Sequence, residues 1–136
     1  MGTQKRLVYI EDDPGSRKVM RFLVSRIEAS IQLDIFEDSQ DFLARVEALD
    51  PEPDAFFLDI HVSPHNGFNL LEMLRSDERY AQKTVIALTA SVMNEEINKL
   101  KEAGFDGVLA KPLNFHTFPD TLDRILAGEK IWIVKR

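Results

Sequence analysis

Apolar residues along this chain recur in two alternating rhythms. Leu7-Val8-Tyr9-Ile10 is a continuous apolar run that stops at Glu11-Asp12-Asp13-Pro14, after which Val19, Met20, Leu23 and Ile27 recur at helical spacing. Ile31 to Phe36 reads as a second strand, and Phe42, Leu43, Val46 and Leu49 mark a helix ended by Pro51. The third strand, Ala55-Phe56-Phe57-Leu58-Asp59-Ile60, is apolar except for one carboxylate near its end, the pattern of a strand covered on both faces. Gly67 opens a helix carrying Leu70, Leu71 and Leu74, and Thr84 to Thr89 is a fourth, β-branched strand. Met93, Ile97 and Leu100 place a fourth helix, with Gly104 as its C-terminal stop. Gly107-Val108-Leu109-Ala110 is a short fifth strand, and Phe118, Leu122, Ile125 and Leu126 make a fifth helix up to Gly128.

Strands that alternate with helices predict an α/β fold: a parallel sheet with helices on both faces, because a parallel crossover needs a dozen or more residues and a right-handed helical return supplies them. No repeat, low-complexity stretch or linker interrupts residues 4 to 128, which read as one domain. Residues 129 to 136 follow a helix stop and hold the single Trp in the apolar run Ile131-Trp132-Ile133-Val134. That tail reads as a strip over the domain's own surface, as an edge strand or dimer contact, or as a connector.

Composition narrows the function classes. The chain has 136 residues, 44% of them hydrophobic, enough for one core of ordinary size. Its net charge of −6 argues against nucleic acid or an anionic membrane as the main partner. With no cysteine there is neither a disulfide nor a thiolate metal site. No stretch approaches the roughly 20 apolar residues of a spanning helix, and Met1-Gly2-Thr3-Gln4 leads into a strand with no signal-peptide core. A cytoplasmic location is the expectation.

In a parallel sheet the carboxyl ends of the strands share one edge, where open α/β sheets hold their ligands. Glu11, Asp12 and Asp13 follow the first strand, Asp59 ends the third, Thr89 the fourth, and Lys111 follows the fifth. Carboxylates packed this closely repel, and a divalent cation is the usual remedy; oxygen donors of this kind suit magnesium. Lys111 can neutralise an anion beyond the metal's reach, and Thr89 can donate a hydrogen bond to it. The set fits a phosphoryl group carried by Asp59 as a carboxylate nucleophile. Each residue alone has a plainer explanation: Asp59 as a turn former, Glu11-Asp12-Asp13-Pro14 as a helix start, Thr89 as a strand residue, Lys111-Pro112 as a solvated turn. Order and spacing together carry the signal.

Those residues resemble the response-regulator receiver domain of two-component signalling over residues 6 to 127. LVYIEDDP is similar to that family's first strand and acid pair, FFLDI to its phosphoacceptor strand, VIALTA to its switch-threonine strand and GVLAKPL to its lysine-proline turn. The resemblance implies a flavodoxin-like (βα)5 sheet of strand order 2-1-3-4-5. It also implies that Asp59 accepts a phosphoryl group from a histidine kinase or histidine phosphotransfer protein, with Mg2+, or Mn2+ in its place. Asp12 and Asp59 would bind the metal directly, Glu11 through water, and the backbone carbonyl of His61 would complete the protein's share. Thr89 would turn toward the phosphoryl oxygens and Lys111 would pair with them. A downstream protein would meet the face formed by the fourth helix, fifth strand and fifth helix, or the tail, and a homodimer is open. Such a domain modifies only itself and is not an enzyme in the ordinary sense.

Two positions depart from the family pattern. Ser63 stands four after Asp59, where the family has Pro, and Val108 stands three before Lys111, where many members carry a mobile aromatic. Output would then pass through Thr89, the loop after it and the helix from Met93. A partner-binding receiver without phosphorylation, a phosphatase of the haloacid dehalogenase type and a flavin or nucleotide binder are the competing classes. The first would show a lost acid, Thr or Lys; the second needs an acid where His61 stands; the third needs a Gly-rich loop where Glu11-Asp12-Asp13 stands. His61 and His65 have a metal-like spacing, but Pro64 lies between them. His61 reads as a side chain over the site, His65 as packed against the acceptor loop, and His116 as exposed.

Overall fold

In the computed structural model, which describes residues 4–27 and 31–132, strands and helices alternate through the described residues. They are β1 (Lys5–Ile10), α1 (Pro14–Ser25), β2 (Ile31–Phe36), α2 (Phe42–Glu47), β3 (Ala55–Asp59), α3 (Gly67–Arg75), β4 (Thr84–Thr89), α4 (Asn94–Ala103), β5 (Gly107–Ala110) and α5 (Phe118–Leu126). All neighbouring strands pair in parallel, in the order β2-β1-β3-β4-β5. The flavodoxin-like arrangement is the one expected from the sequence.

Strand parity decides which side chains meet, because successive residues point to opposite faces. Val8, Ile10, Phe56, Leu58, Val85, Ala87 and Val108 face α2, α3 and α4, where they bury Phe42, Leu70, Leu74, Ile97 and Leu100. Leu7, Tyr9, Ala55, Phe57, Ile86 and Leu88 face α1 and α5, and bury Met20, Leu23, Phe118, Leu122 and Ile125. Central β3 is buried along its whole length, whereas edge strand β2 is only half-buried. That difference is why the third strand reads so clearly in the sequence and the second less so.

Helix punctuation follows local chemistry. Pro14 occupies the first turn of α1, where its missing N–H costs nothing. Gly104 ends α4 at φ 110°, a left-handed conformation that a side chain would strain. Met93 departs from the expectation: it precedes α4 as the N-cap residue and is 63% exposed, while Ile97 and Leu100 alone of the three turn inward.

After Gly128 the chain folds back onto the open edge of β5. The Ile131 N–H donates to the Asp106 carbonyl at 3.1 Å and the Val108 N–H donates to the Ile131 carbonyl at 2.8 Å, a parallel bridge beside Gly107. Ile131 is buried, and Lys101 of α4 sits 5.3 Å from the centre of the Trp132 ring. Of the readings open for the tail, these residues take the one in which it covers the domain's own surface; Ile133 and Val134 lie outside the described residues.

Gly107 is what lets the strap approach, since a Cβ there would stand 2.5 Å from the Ile131 carbonyl oxygen. Gly107→Ala is therefore expected to lower stability by about 1–3 kcal/mol, the usual cost of overpacking. Urea unfolding measures it, and a loss below about 0.5 kcal/mol, the range of neutral surface changes, would mean that the strap yields freely.

Candidate functional site

Parity that sorts the core also assembles the polar site. Glu11, Asp59 and Lys111 continue the residues Tyr9, Phe57 and Leu109, all directed to the α1 and α5 side of the sheet. The β1 and β3 register pairs Tyr9 with Phe57 and Ile10 with Leu58, so the next positions, Glu11 and Asp59, leave the sheet side by side. Lys111 reaches both from beyond β5: its Nζ donates to Asp59 Oδ2 at 2.9 Å and to Glu11 Oε1 at 3.0 Å. Thr89, also buried, ends β4 between them in the sheet order.

The acids after β1 divide into three roles. Glu11 is fully buried and takes three hydrogen bonds: Tyr9 Oη and Lys111 Nζ donate to Oε1, at 2.7 Å and 3.0 Å, and the Asp13 N–H donates to Oε2 at 3.2 Å. Asp12 is exposed. Asp13 caps α1, its Oδ2 accepting from the Ser16 N–H and Ser16 Oγ at 2.8 Å each. Asp13 therefore leaves the convergent set that the sequence suggested, because helix capping uses its carboxylate.

Glu11, Asp12 and Asp59 each offer an oxygen within 4.8 Å of the other two. Three carboxylates and no nitrogen or sulfur make a hard donor set, which fits Mg2+ or Mn2+. The electrostatics agree with a crowded anionic site. Burial pushes the Glu11 carboxyl up from its ordinary range, helped by neighbouring Asp59. Burial pushes Asp59 up too, but the neighbouring Glu11 carboxyl, the His61 N–H and Lys111 outweigh it and hold Asp59 below its ordinary range. The His61 bond is direct, from its N–H to Asp59 Oδ1 at 2.9 Å. Asp59 is thus the carboxylate kept ionised.

Ser39, in the β2–α2 connection, secures the loop after β3. Its N–H donates to the Ser63 carbonyl at 3.1 Å, and its Oγ both donates to the His65 carbonyl and accepts from the His65 N–H, at 2.7 Å each. Here the His65 backbone is held and its side chain is exposed, not packed as expected. The side chains of His61 and His116 are exposed as well. Beyond β4, the Ser91 N–H donates to Thr89 Oγ1 at 3.1 Å, and Ser91 Oγ pairs closely with Glu96 of α4. Nothing in the sequence singles out Ser39 or Ser91; Tyr9 was legible only as an apolar strand residue, though it stands on the strand face of Glu11, two positions before it.

Burial pulls the Lys111 ammonium down, but Asp59 and Glu11 outweigh it and hold its pKa above the ordinary value. A raised ammonium pKa contributes stability that is complete below the unfolded value, about 10.4, and is lost as pH rises through the folded value. Lys111→Met is therefore expected to lose less stability than wild type on going above about pH 10. Urea midpoints across that range test it, and parallel curves for the two proteins would show that the ion pair contributes nothing.

Comparison with known proteins bears on this geometry directly. The sequence model of the family described as the response regulator receiver domain matches residues 7–123. The stress response regulator protein 1 of Lodderomyces elongisporus is 26% identical over 135 residues, covering 98% of this chain but 37% of that protein. The polar-differentiation response regulator DivK of Brucella ovis is 29% identical over 126 residues, covering 90% of this chain and 96% of that protein. The chain spans from 37% to 57% of the length of three stress response regulators that it matches. Among solved structures, the chemotaxis response regulator CheY4 of Vibrio cholerae superposes with a TM-score of 0.79 at 22% identity, over 90% of this chain and 99% of that one, a likeness of fold. With the family match extending from β1 into α5, over every strand end that contributes to the acidic site, the chain belongs to the response regulator receiver domain family of two-component signalling.

Proposed function

We propose that this domain is a phosphoacceptor switch in which Asp59 takes a phosphoryl group from a histidine kinase or histidine phosphotransfer protein. The observation that carries this reading is Asp59 itself: a carboxylate held ionised at the end of β3, bonded by Lys111 Nζ at 2.9 Å and within 4.8 Å of oxygens on Glu11 and Asp12. Attack by an Asp59 oxygen on phosphohistidine forms the O–P bond as the N–P bond breaks, and the imidazole leaves. Lys111 pairs with charge on the transferring oxygens, and Thr89 donates its hydroxyl to them.

Asp12, Asp59 and the His61 carbonyl are the direct ligands in this reading, with Glu11 acting through water. Among the described residues the His61 carbonyl takes no hydrogen bond, so it is free to ligate. A bound Mg2+ would supply a counter-charge to the phosphoryl oxygens. The chemistry acts on the domain's own Asp59, so the chain turns over no separate substrate. This reading places the domain in the cytoplasm, and no described helix is long and apolar enough to cross a membrane.

Output runs from Thr89 into the loop tied to α4 by Ser91 and Glu96. Val108 is buried, with no aromatic ring to move in its place. Beside it lies a groove of about 420 Å³, lined by Val92, Val108, Pro112, Thr117, Arg124 and Ile131, on the face where the downstream protein would dock.

Beryllofluoride with Mg2+, a stand-in for the phosphoryl group, is expected to bind wild type and to fail with Asp59→Asn. Equal binding by the two proteins in calorimetry would overturn the assignment. Thr89→Ala is expected to keep phosphorylation and lose the change in partner affinity that follows it. Normal signalling by that variant would place the switch elsewhere.

A further inference from the structure

Tyr9 is buried on β1 in the layer beneath α1 and α5, beside Met20 and Phe57. A phenylalanine would fill that space as well. The hydroxyl is the part that calls for an explanation, and it donates at 2.7 Å to the Oε1 of Glu11, which also takes Lys111 Nζ at 3.0 Å. Since the Asp13 N–H occupies Oε2, both Glu11 oxygens are engaged by protein donors. Asp12 is exposed and takes no side-chain hydrogen bond among the described residues.

We infer that Tyr9 is a positioning residue, whose hydroxyl holds Glu11 on Lys111 and keeps it out of the metal's inner coordination shell. This rests on the phosphoacceptor reading and extends it to one residue outside the acidic site. To reach a metal directly, Glu11 must give up the bond from the buried Tyr9 hydroxyl, and hydrogen bonds to a charged group are the costly ones to lose. Mg2+ gives up its waters reluctantly, so a carboxylate tied down in this way leaves a water in place. The two buried acids share Lys111, but Tyr9 restrains Glu11 alone and leaves Asp59 to ligand and phosphoryl group. Tyr9 approaches from beneath the sheet edge, so its hold on Glu11 does not depend on any loop. In Tyr9→Phe the Lys111 bond alone restrains Oε1, and Glu11 swings onto the metal as a third direct carboxylate.

The test uses the full chain with Mn2+ as the probe, because water proton relaxation counts the waters in its inner shell. Tyr9→Phe is expected to hold one bound water fewer than wild type. Its Mn2+ Kd falls roughly threefold to tenfold, since the affinity of an oxygen site follows the charge count of its ligands. An unchanged water count and Kd overturn the inference and leave the phosphoacceptor reading standing; no Mn2+ binding by wild type overturns both. Circular dichroism establishes that the variant is folded. Should it not fold, Glu11→Gln in the wild-type background decides: the inference requires an unchanged number of bound waters, and one water more contradicts it.

Discussion

Two carboxylates buried side by side need a cation between them, and Lys111 supplies it from beyond the edge strand β5. At an effective dielectric near 20, unit charges ~4 Å apart repel by about 4 kcal/mol, a large fraction of a small domain's stability. Glu11 and Asp59 offer oxygens within 4.8 Å of each other, so their repulsion is of that order. Lys111 follows β5, and β4 separates that strand from β3, so the ammonium passes over the end of β4 to reach both acids. One side chain thereby ties together the ends of β1, β3 and β5. On the proposed mechanism, a phosphoryl group on Asp59 competes for the same ammonium, and the ends of β4 and β5 feel the change first.

The sheet makes this arrangement economical. A period of two along each strand sends Tyr9 and Glu11, Phe57 and Asp59, and Leu109 and Lys111 to the same side, so the apolar member of each pair fixes the direction of the polar one. Packing of Tyr9 and Phe57 against α1 and α5 therefore also sets the spacing of the carboxylates. Loops add the finishing restraints: Ser39 clamps the chain after β3, and Asp13 starts α1 with its carboxylate while its N–H donates to Glu11.

Most of the fold was legible because continuous apolar strands and amphipathic helices follow different periods, and because Pro14 and Gly104 punctuate them where the backbone requires it. The meeting of Asp59, Glu11 and Lys111 was legible because each ends or follows a strand in a parallel sheet. What escaped detection depends on distances across the fold. Asp13 looked like a third acid of the site until Ser16 claimed its carboxylate. Met93 kept helical spacing yet lies before the helix, on the outside. The strap from Glu129 to Trp132 could have gone to another surface; the space at Gly107 and the backbone bonds to Asp106 and Val108 fix where it lies.

The central claim is that Asp59 carries the phosphoryl group, and chemical trapping tests it at a single atom. Borohydride reduces an aspartyl phosphate to homoserine while sparing free carboxylates. After incubation with Mg2+ and phosphoramidate, peptide mapping is predicted to find homoserine at position 59 alone. Homoserine at position 12 or 13, or none at any position in a protein that binds Mg2+, would contradict the account.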